Sequence, residues 1–269
     1  MTEIKMARVQ LSGITKKYHF LTDDGYNIKV AYVNRPEKII VCQSTQIGCS
    51  GLCRFCSAGN LPLVRNLTAD EMCWMIEESY RLSNLVSNNA SKPVLVSFMG
   101  TGEPLANGGE VCHVMSRLPF SRFALSTSGY NLTAITPYHA LKVQFTLVSA
   151  DWRMRKYMQP HVDPLPQLRN AIRRYPYSKE INVPLIANVN DNERSMEEIA
   201  ELSRMVGGVN IKLNRYHPMR GYRSSDYSAR CLDWLLERGC PAEYYETDGE
   251  DILAACGQFE LPDNVAEVK

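Results

Sequence analysis

Three cysteines fall within eight residues, Cys49, Cys53 and Cys56, in the segment Gln46-Ile47-Gly48-Cys49-Ser50-Gly51-Leu52-Cys53-Arg54-Phe55-Cys56. Thiolates bind soft metals and iron-sulfur clusters, and three of them on a 4Fe-4S cubane leave one iron open to a further ligand. A structural zinc ion, completed by Cys42 or His113, is the competing reading of the same residues. Structural zinc sites are usually built from two ligand pairs, and the sequence offers no second pair, so the cluster is the better account.

Downstream, Met99-Gly100-Thr101-Gly102-Glu103-Pro104-Leu105 joins glycines, which let a backbone approach a ligand, to Glu103, a carboxylate able to accept from an ammonium group. Alone, this run is as much a tight turn as a site. One structural unit beyond the cysteines, it reads as a cofactor pocket. Ser126-Thr127-Ser128-Gly129 offers hydroxyls to the same place or a cap to a following helix. Two basic stretches, Lys212, Arg215, His217, Arg220 and Arg223, then Arg153, Arg155, Lys156 and His161, read either as phosphate contacts or as solvated loops. Tyr157, Tyr216 and Tyr222 are candidates for stacking on a base.

Placing these residues requires an α/β framework. From Lys38 onward, short β-branched runs alternate with stretches of helical period, which predicts strand-helix units around a mostly parallel sheet. Six strands are expected, at Ile39–Cys42, Val94–Phe98, Phe123–Ser126, Val143–Val148, Glu180–Ile186 and Val209–Leu213, with a seventh at Ala242–Glu246. Thr68 and Glu71 form a capping box for a helix over Thr68–Leu82, and Ser195–Met205 is a second clear helix. Asp24-Gly25 predicts a hairpin over His19–Val33. The cysteine loop then follows the first barrel strand, where catalytic loops of parallel barrels sit.

Composition narrows the class. Across 269 residues, 45% hydrophobic and 22% charged side chains are globular proportions, and 30 Lys and Arg against 29 Asp and Glu exclude a strongly basic nucleic-acid binder. Met1–Gln10 carries no signal-peptide pattern and no run is long enough to span a bilayer, so a cytoplasmic protein without membrane partners is expected. The nine cysteines are then reduced thiols, an odd set that fits metal or redox chemistry. Cys73, Cys112, Cys231 and Cys240 read as small buried hydrophobes.

The C-x3-C-x2-C spacing, with Phe55 before the last cysteine, resembles the radical S-adenosylmethionine superfamily. Cys42–Cys56, Arg65-Asn66-Leu67-Thr68-Ala69, Met99–Asn107, Leu125–Gly129, Val189-Asn190-Asp191, Arg223-Ser224-Ser225 and Gly249–Gln258 further resemble the RlmN/Cfr family, in collinear order over about residues 19–258. Asp251-Ile252-Leu253-Ala254-Ala255-Cys256-Gly257-Gln258 is the most diagnostic of these segments. The resemblance implies a partial (β/α)6 radical SAM barrel over 38–240, preceded by a hairpin extension over 1–37 and followed by a strand and tail, 241–269, that carries Cys256. It implies a 4Fe-4S cluster on Cys49, Cys53 and Cys56, and S-adenosylmethionine near Gly102, Glu103, Ser126, Thr146 and His217. A flavodoxin-type reductant is implied as well.

In that family, enzymes methylate adenine in ribosomal or transfer RNA. The resemblance assigns Cys256 as the thiol that first takes a methyl group, which is then activated as a radical and added to the base. It assigns Cys42 as the thiol that resolves the adduct by a disulfide with Cys256. The sequence also departs from the family. It reads as lacking an N-terminal accessory domain, and the family's proton-accepting glutamate, thirteen residues before the resolving cysteine, is Lys29. Lys29 reads either as a base of depressed pKa or as an exposed strand lysine. His217 stands for a cofactor-contacting asparagine, and Thr146 and Val148 stand for a serine and a histidine near the ribose. An adenine-type substrate, in RNA or as a nucleotide, is expected; a radical enzyme of another reaction type, without methylation of Cys256, is the alternative.

Overall fold

The computed structural model describes residues 4–84, 92–118 and 121–262. Its strands are β1 (Ile4–Ser12), β2 (Thr15–Thr22), β3 (Asn27–Asn34), β4 (Ile39–Gln43), β5 (Gln46–Ile47), β6 (Arg65–Asn66), β7 (Val94–Phe98), β8 (Arg122–Thr127), β9 (Leu141–Thr146), β10 (Lys179–Leu185), β11 (Ile211–Arg215) and β12 (Ala242–Tyr245). Its helices are α1 (Ala69–Asn84), α2 (Gly108–Arg117), α3 (Trp152–Met158), α4 (Leu165–Arg174), α5 (Glu193–Met205) and α6 (Ser228–Glu237).

Ten strands form one sheet in the order β1-β2-β3-β4-β7-β8-β9-β10-β11-β12, and β5 pairs with β6 separately. From β4 to β12 every neighbour is parallel, whereas β1, β2, β3 and β4 are joined antiparallel. Strands β4 and β7 carry near-continuous apolar runs, whereas β9, β10 and β11 alternate apolar residues under the covering helices with polar ones on the inner face. Val41, Val96, Phe123, Val143, Phe145, Ile181, Val183, Ile211 and Leu213 make the shared core beneath α1, α2, α4, α5 and α6. The capping box forms as expected: Glu71 N donates to Thr68 Oγ1 at 3.2 Å and Thr68 N to Glu71 Oε2 at 2.8 Å.

Two features differ from the expected pattern. The hairpin β2–β3 is preceded by β1, an edge strand whose side chains are mostly exposed or half-buried, so its apolar residues gave no core-like signal. Between β8 and β9 the crossover holds a single 3-10 turn, Leu132–Ala134, where Asn131 is left-handed at φ +51°, instead of an α-helix. Bounds of β9, β10 and β11 shift by up to two residues toward one end of their predicted runs.

The barrel is open, since β1 and β12 have no partner on their outer edges. The chain beyond β12 crosses this gap. Arg35 donates to Asp248 at 2.5 Å and to the Tyr245 hydroxyl at 3.0 Å, and Ser12 Oγ donates to Asp251 at 2.7 Å. The last segment is thereby returned to the barrel mouth, where Ala254 and Phe259 pack on Ala31 of β3.

Candidate active site

Alternate residues of the parallel strands face inward and enclose a chamber of about 360 Å³. Strands β4, β7 and β8 contribute Ile40, Cys42, Leu95, Ser97, Ala124 and Ser126. Strands β9, β10 and β11 contribute Gln144, Thr146, Asn182, Pro184 and Asn214, with Lys142 and Lys212 nearer their N-terminal ends. Glu180, on the same face of β10, is 1% exposed and is held by an ion pair to Lys142 and by the Gln144 amide. The tail closes the chamber with Ala254, Ala255, Cys256 and Gly257.

The cysteine loop runs from β5 to β6 over this mouth. Cys49 N donates to Leu61 O at 3.1 Å, Cys56 N to Cys53 O at 3.2 Å, and Arg54 N to Met158 O at 2.9 Å. Arg220, itself left-handed at φ +52°, donates to Cys53 O at 3.3 Å and Cys56 O at 3.1 Å. Ser57 N donates to Gly257 O at 2.9 Å, tying the loop to the tail. Burial raises the pKa of all three thiols, Cys56 to about 12, and at Cys53 the other two sulfurs add to the effect. A Cβ on Gly51 would come within 3.5 Å of Cys49 Sγ and 3.8 Å of Cys53 Sγ, so glycine there keeps the space beside them clear.

Glu103 is fully enclosed and accepts from Ser128 N at 2.9 Å, Ser128 Oγ at 2.7 Å and Leu105 N at 3.2 Å, with the Thr127 hydroxyl a further donor. Burial pushes its carboxyl pKa up, and the hydrogen bonds from Thr127, Ser128 and Leu105 oppose that. Gly102, at φ +113°, has no room for a side chain, because a Cβ would meet Thr45 Oγ1 at 2.6 Å and Gln46 N at 2.8 Å. Ser126 Oγ and Thr146 Oγ1 are 3.0 Å apart and both open on the chamber.

Gln46 joins these parts and was not singled out from sequence. Its Oε1 accepts from Glu103 N at 2.9 Å and from Ser50 N and Oγ at 3.2 Å, linking the turn of Glu103 to the cysteine loop. A buried glutamine just before a cysteine motif has no sequence signature of its own. Arg155 is the second such residue. It was grouped with a basic surface stretch, but α3 buries it completely; Nη2 donates to Ser128 O at 3.2 Å, and Nε and Nη1 have no acceptor among the described residues. Its charge acts on Cys53, while burial lowers its pKa to about 10.

Cys42 and Cys256 line the chamber together, and each sits among protein atoms that raise its thiol pKa by burial. Cys256 is nonetheless exposed as a residue. Both are free thiols, as are the other seven cysteines; Cys73, Cys231 and Cys240 are buried and Cys112 is half-buried.

His217 is not brought to the chamber lining. It is buried against the tail, with Nε2 2.6 Å from Thr247 Oγ1 and Nδ1 3.1 Å from Glu250 Oε1. Lys29 is also outside the lining and is ion-paired with Glu260, which accepts from Thr101 Oγ1 at 2.6 Å. The two basic stretches do not form phosphate patches as units. Lys212 and Arg215 both line the chamber, Arg215 also facing Glu246 and Glu250; Arg220 caps the cysteine loop, and Tyr216, a further lining residue, is buried with its hydroxyl 2.9 Å from Phe55 O. Tyr157 remains exposed, with Arg54 4.4 Å over its ring.

A dual-specificity RNA methyltransferase RlmN of Desulfosudis oleivorans is 30% identical to this chain over 284 residues, covering 95% of the chain and 74% of the relative. The chain belongs to the RlmN family. A probable dual-specificity RNA methyltransferase RlmN 1 of Protochlamydia amoebophila is likewise 30% identical, over 92% of the chain and 73% of its own length. The crystal structure of a radical SAM methyltransferase from Sphaerobacter thermophilus superposes with a TM-score of 0.86 at 28% identity, covering 96% of this chain and 81% of that one. No family model matches the chain. The protein is a radical S-adenosylmethionine enzyme, and the open α/β barrel is the fold of that methyltransferase.

The residues fit the cluster such enzymes carry. Gly51 keeps clear the space beside Cys49 Sγ and Cys53 Sγ, and the unfilled Arg155 donors supply positive charge near Cys53. No helix among them is long and apolar enough to cross a membrane.

Proposed function

We propose that this enzyme methylates an electron-poor ring carbon of an adenine-type substrate, in RNA or as a nucleotide, by way of a methyl group carried on Cys256. The names of its relatives support RNA as the substrate class. The observation that carries the reading is that Cys256 and Cys42 share one chamber directly beneath the cysteine loop. When bound, a 4Fe-4S cluster and S-adenosylmethionine supply the methyl group and a hydrogen-abstracting radical.

Cys49, Cys53 and Cys56 hold the cluster by three thiolates. Glu103 and the Ser126–Thr146 hydroxyl pair would hold the cofactor's polar groups by hydrogen bonds. Cys256 would carry the methyl carbon at the wall of the chamber that it lines. Once the carbon is joined to the ring, Cys42 sulfur bonds to Cys256 sulfur and the carbon-sulfur bond breaks. The two thiols are oxidised to a disulfide, and the released carbon takes a proton as it becomes a methyl group. Burial keeps Cys42 a neutral thiol until that point. A flavodoxin-type donor, in the cytoplasm, supplies the electrons.

One observation favours the alternative, a radical reaction without methylation of Cys256. The position of the family's proton acceptor is held by Lys29, which is ion-paired with Glu260 outside the chamber lining. Protein isolated from cells and analysed by mass spectrometry separates the two: a methyl group on the Cys256 peptide is expected, and its absence rejects the methyl carrier. Anaerobically reconstituted enzyme should then form 5'-deoxyadenosine and methylated base with total RNA; turnover with free nucleotides alone would remove RNA from the proposal.

A further inference from the structure

The inner face of the sheet is laid out in rows. Cys42 pairs with Ser97, Ser97 with Ala124 and Ala124 with Lys142 across β4, β7, β8 and β9. The next rows set Ser126, Gln144 and Glu180, then Thr146, Asn182 and Lys212, side by side. Parallel barrels usually fill this interior with branched apolar residues. Here β9, β10 and β11 instead carry Lys142, Glu180 and Lys212 near their N-terminal ends, each the second residue of its strand. The floor of the chamber is therefore charged.

Those charges do not cancel. Glu180 is ion-paired with Lys142, and Lys212 Nζ stands 3.8 Å from the same carboxylate and 3.9 Å from the centre of the Tyr245 ring. Two ammonium groups thus share one carboxylate, and a positive charge is left over where the Lys212 side chain is only 14% exposed. The other charged groups of the lining are more exposed and face partners of their own: Lys38 with Glu37, Arg215 with Glu246 and Glu250, and Asp248 with Arg35. Buried charge without a counter-charge is costly, and an anion entering the chamber would supply one. Two neutral groups also lack partners. Ser97 Oγ and Gln144 Oε1 are buried in the lining with no hydrogen bond among the described residues. The hydroxyl can donate to an anion, and the amide oxygen can accept from an alcohol.

The depth of the chamber decides which anion. Lys142 and Thr146 face inward from β9, about 13 Å of strand apart, which is room for one nucleotide with its phosphate on the floor. When a base within a nucleic-acid strand is turned into an enzyme pocket, its backbone phosphates stay outside with the strand. Cations on the floor would meet no phosphate of such a substrate. We infer that the chamber takes a free purine nucleotide, its phosphate bound by Lys142, Lys212 and Ser97 and its ribose hydroxyls donating to Gln144. This rests on the reading of an adenine-type substrate and selects between its two forms.

The test is calorimetric titration of cluster-loaded protein saturated with S-adenosylmethionine, so that a nucleotide cannot bind in the cofactor's place. The probes are adenosine 5'-monophosphate, adenosine and inorganic phosphate. The monophosphate should bind at least about ten-fold more tightly than adenosine. Lys212→Met should remove most of that difference, Lys142→Met a smaller part, and Ser97→Ala roughly a factor of three, with adenosine binding unchanged in each. Inorganic phosphate should compete with the monophosphate in wild type and cease to do so in Lys212→Met. Unaltered S-adenosylmethionine affinity shows that a variant is folded, and Lys142→Met, at the more exposed position, decides the matter if Lys212→Met does not fold. Equal affinities for adenosine and its monophosphate, or monophosphate binding that survives both lysine substitutions, overturn the proposal. Phosphate-dependent binding in enzyme that never methylates the base keeps the nucleotide site and rejects the methylation reading. Methylated RNA from enzyme that ignores the monophosphate does the reverse.

Discussion

The two halves of the chamber wall are built on opposite principles. Strands β4, β7 and β8 line it with Ile40, Leu95, Ala124 and the small polar Cys42, Ser97 and Ser126, whereas β9, β10 and β11 bring Lys142, Glu180, Lys212, Gln144, Asn182 and Asn214. The first half can stay as it is whatever enters the chamber. The second holds together only because its charges and amides answer one another: Asn214 Nδ2 donates to Asn182 Oδ1 at 2.5 Å, and Glu180 binds Lys142 and Gln144. A parallel barrel whose interior were only packing would carry branched apolar residues all round. The asymmetry sets the charged side chains on β9, β10 and β11 and Cys42 on the opposite, largely apolar wall.

Substitutions on the two walls should therefore differ in cost. Glu180→Leu leaves the largely buried Lys212 and the more exposed Lys142 ammonium groups without a carboxylate and should lower unfolding stability by about 3 kcal/mol, read from denaturant midpoints. Leu95→Ala on the opposite wall, only half-buried, should cost about 2 kcal/mol or less. Equal losses would erase the distinction. Glu103→Ala, above the apolar wall, strips the acceptor from Ser128 N, Ser128 Oγ and Leu105 N; a loss of about 2–3 kcal/mol is expected, with weakened S-adenosylmethionine binding by calorimetry.

Smaller effects come from the elements that brace the walls. Glu260→Gln breaks the ion pair with Lys29 that fastens the tail, and should cost about 1–2 kcal/mol while speeding proteolytic cleavage near Cys256. At the foot of β9, the Tyr175 hydroxyl donates to Leu141 O at 2.7 Å, and burial raises its pKa from 10.0 to about 12. The unfolded chain ionises first, so this contribution is complete below pH 10.0 and is lost as pH rises through about 12. Tyr175→Phe should cost about 1 kcal/mol at neutral pH and flatten the alkaline unfolding profile in that window; an unchanged profile would detach Tyr175 from the wall.

Period and turn chemistry made most of the framework legible. Apolar runs at Val94–Phe98 and near Ile211–Leu213 announced buried parallel strands, and Thr68 with Glu71 announced the start of α1. Edge strand β1 escaped because an exposed strand needs no apolar face. Basic residues were the hardest to place from order alone: Arg153, Arg155 and Lys156 are neighbours in the chain, yet helical rotation exposes the first and third and buries the second.

By itself the sequence determined the local chemistry: three thiols spaced for a cluster, a glycine-rich turn with Glu103, and a tail bearing Cys256, because spacing within a loop is a property of the covalent chain. Only the tertiary structure could bring Cys256 into one chamber with Cys42 and Lys212, pair Lys29 with Glu260, turn His217 toward the tail and sink Arg155 beneath Cys53. Cys42 with Cys256 and Lys29 with Glu260 come from opposite ends of the chain, and the curvature of the sheet, set by strand twist and helix packing across its whole width, is what brings them within reach.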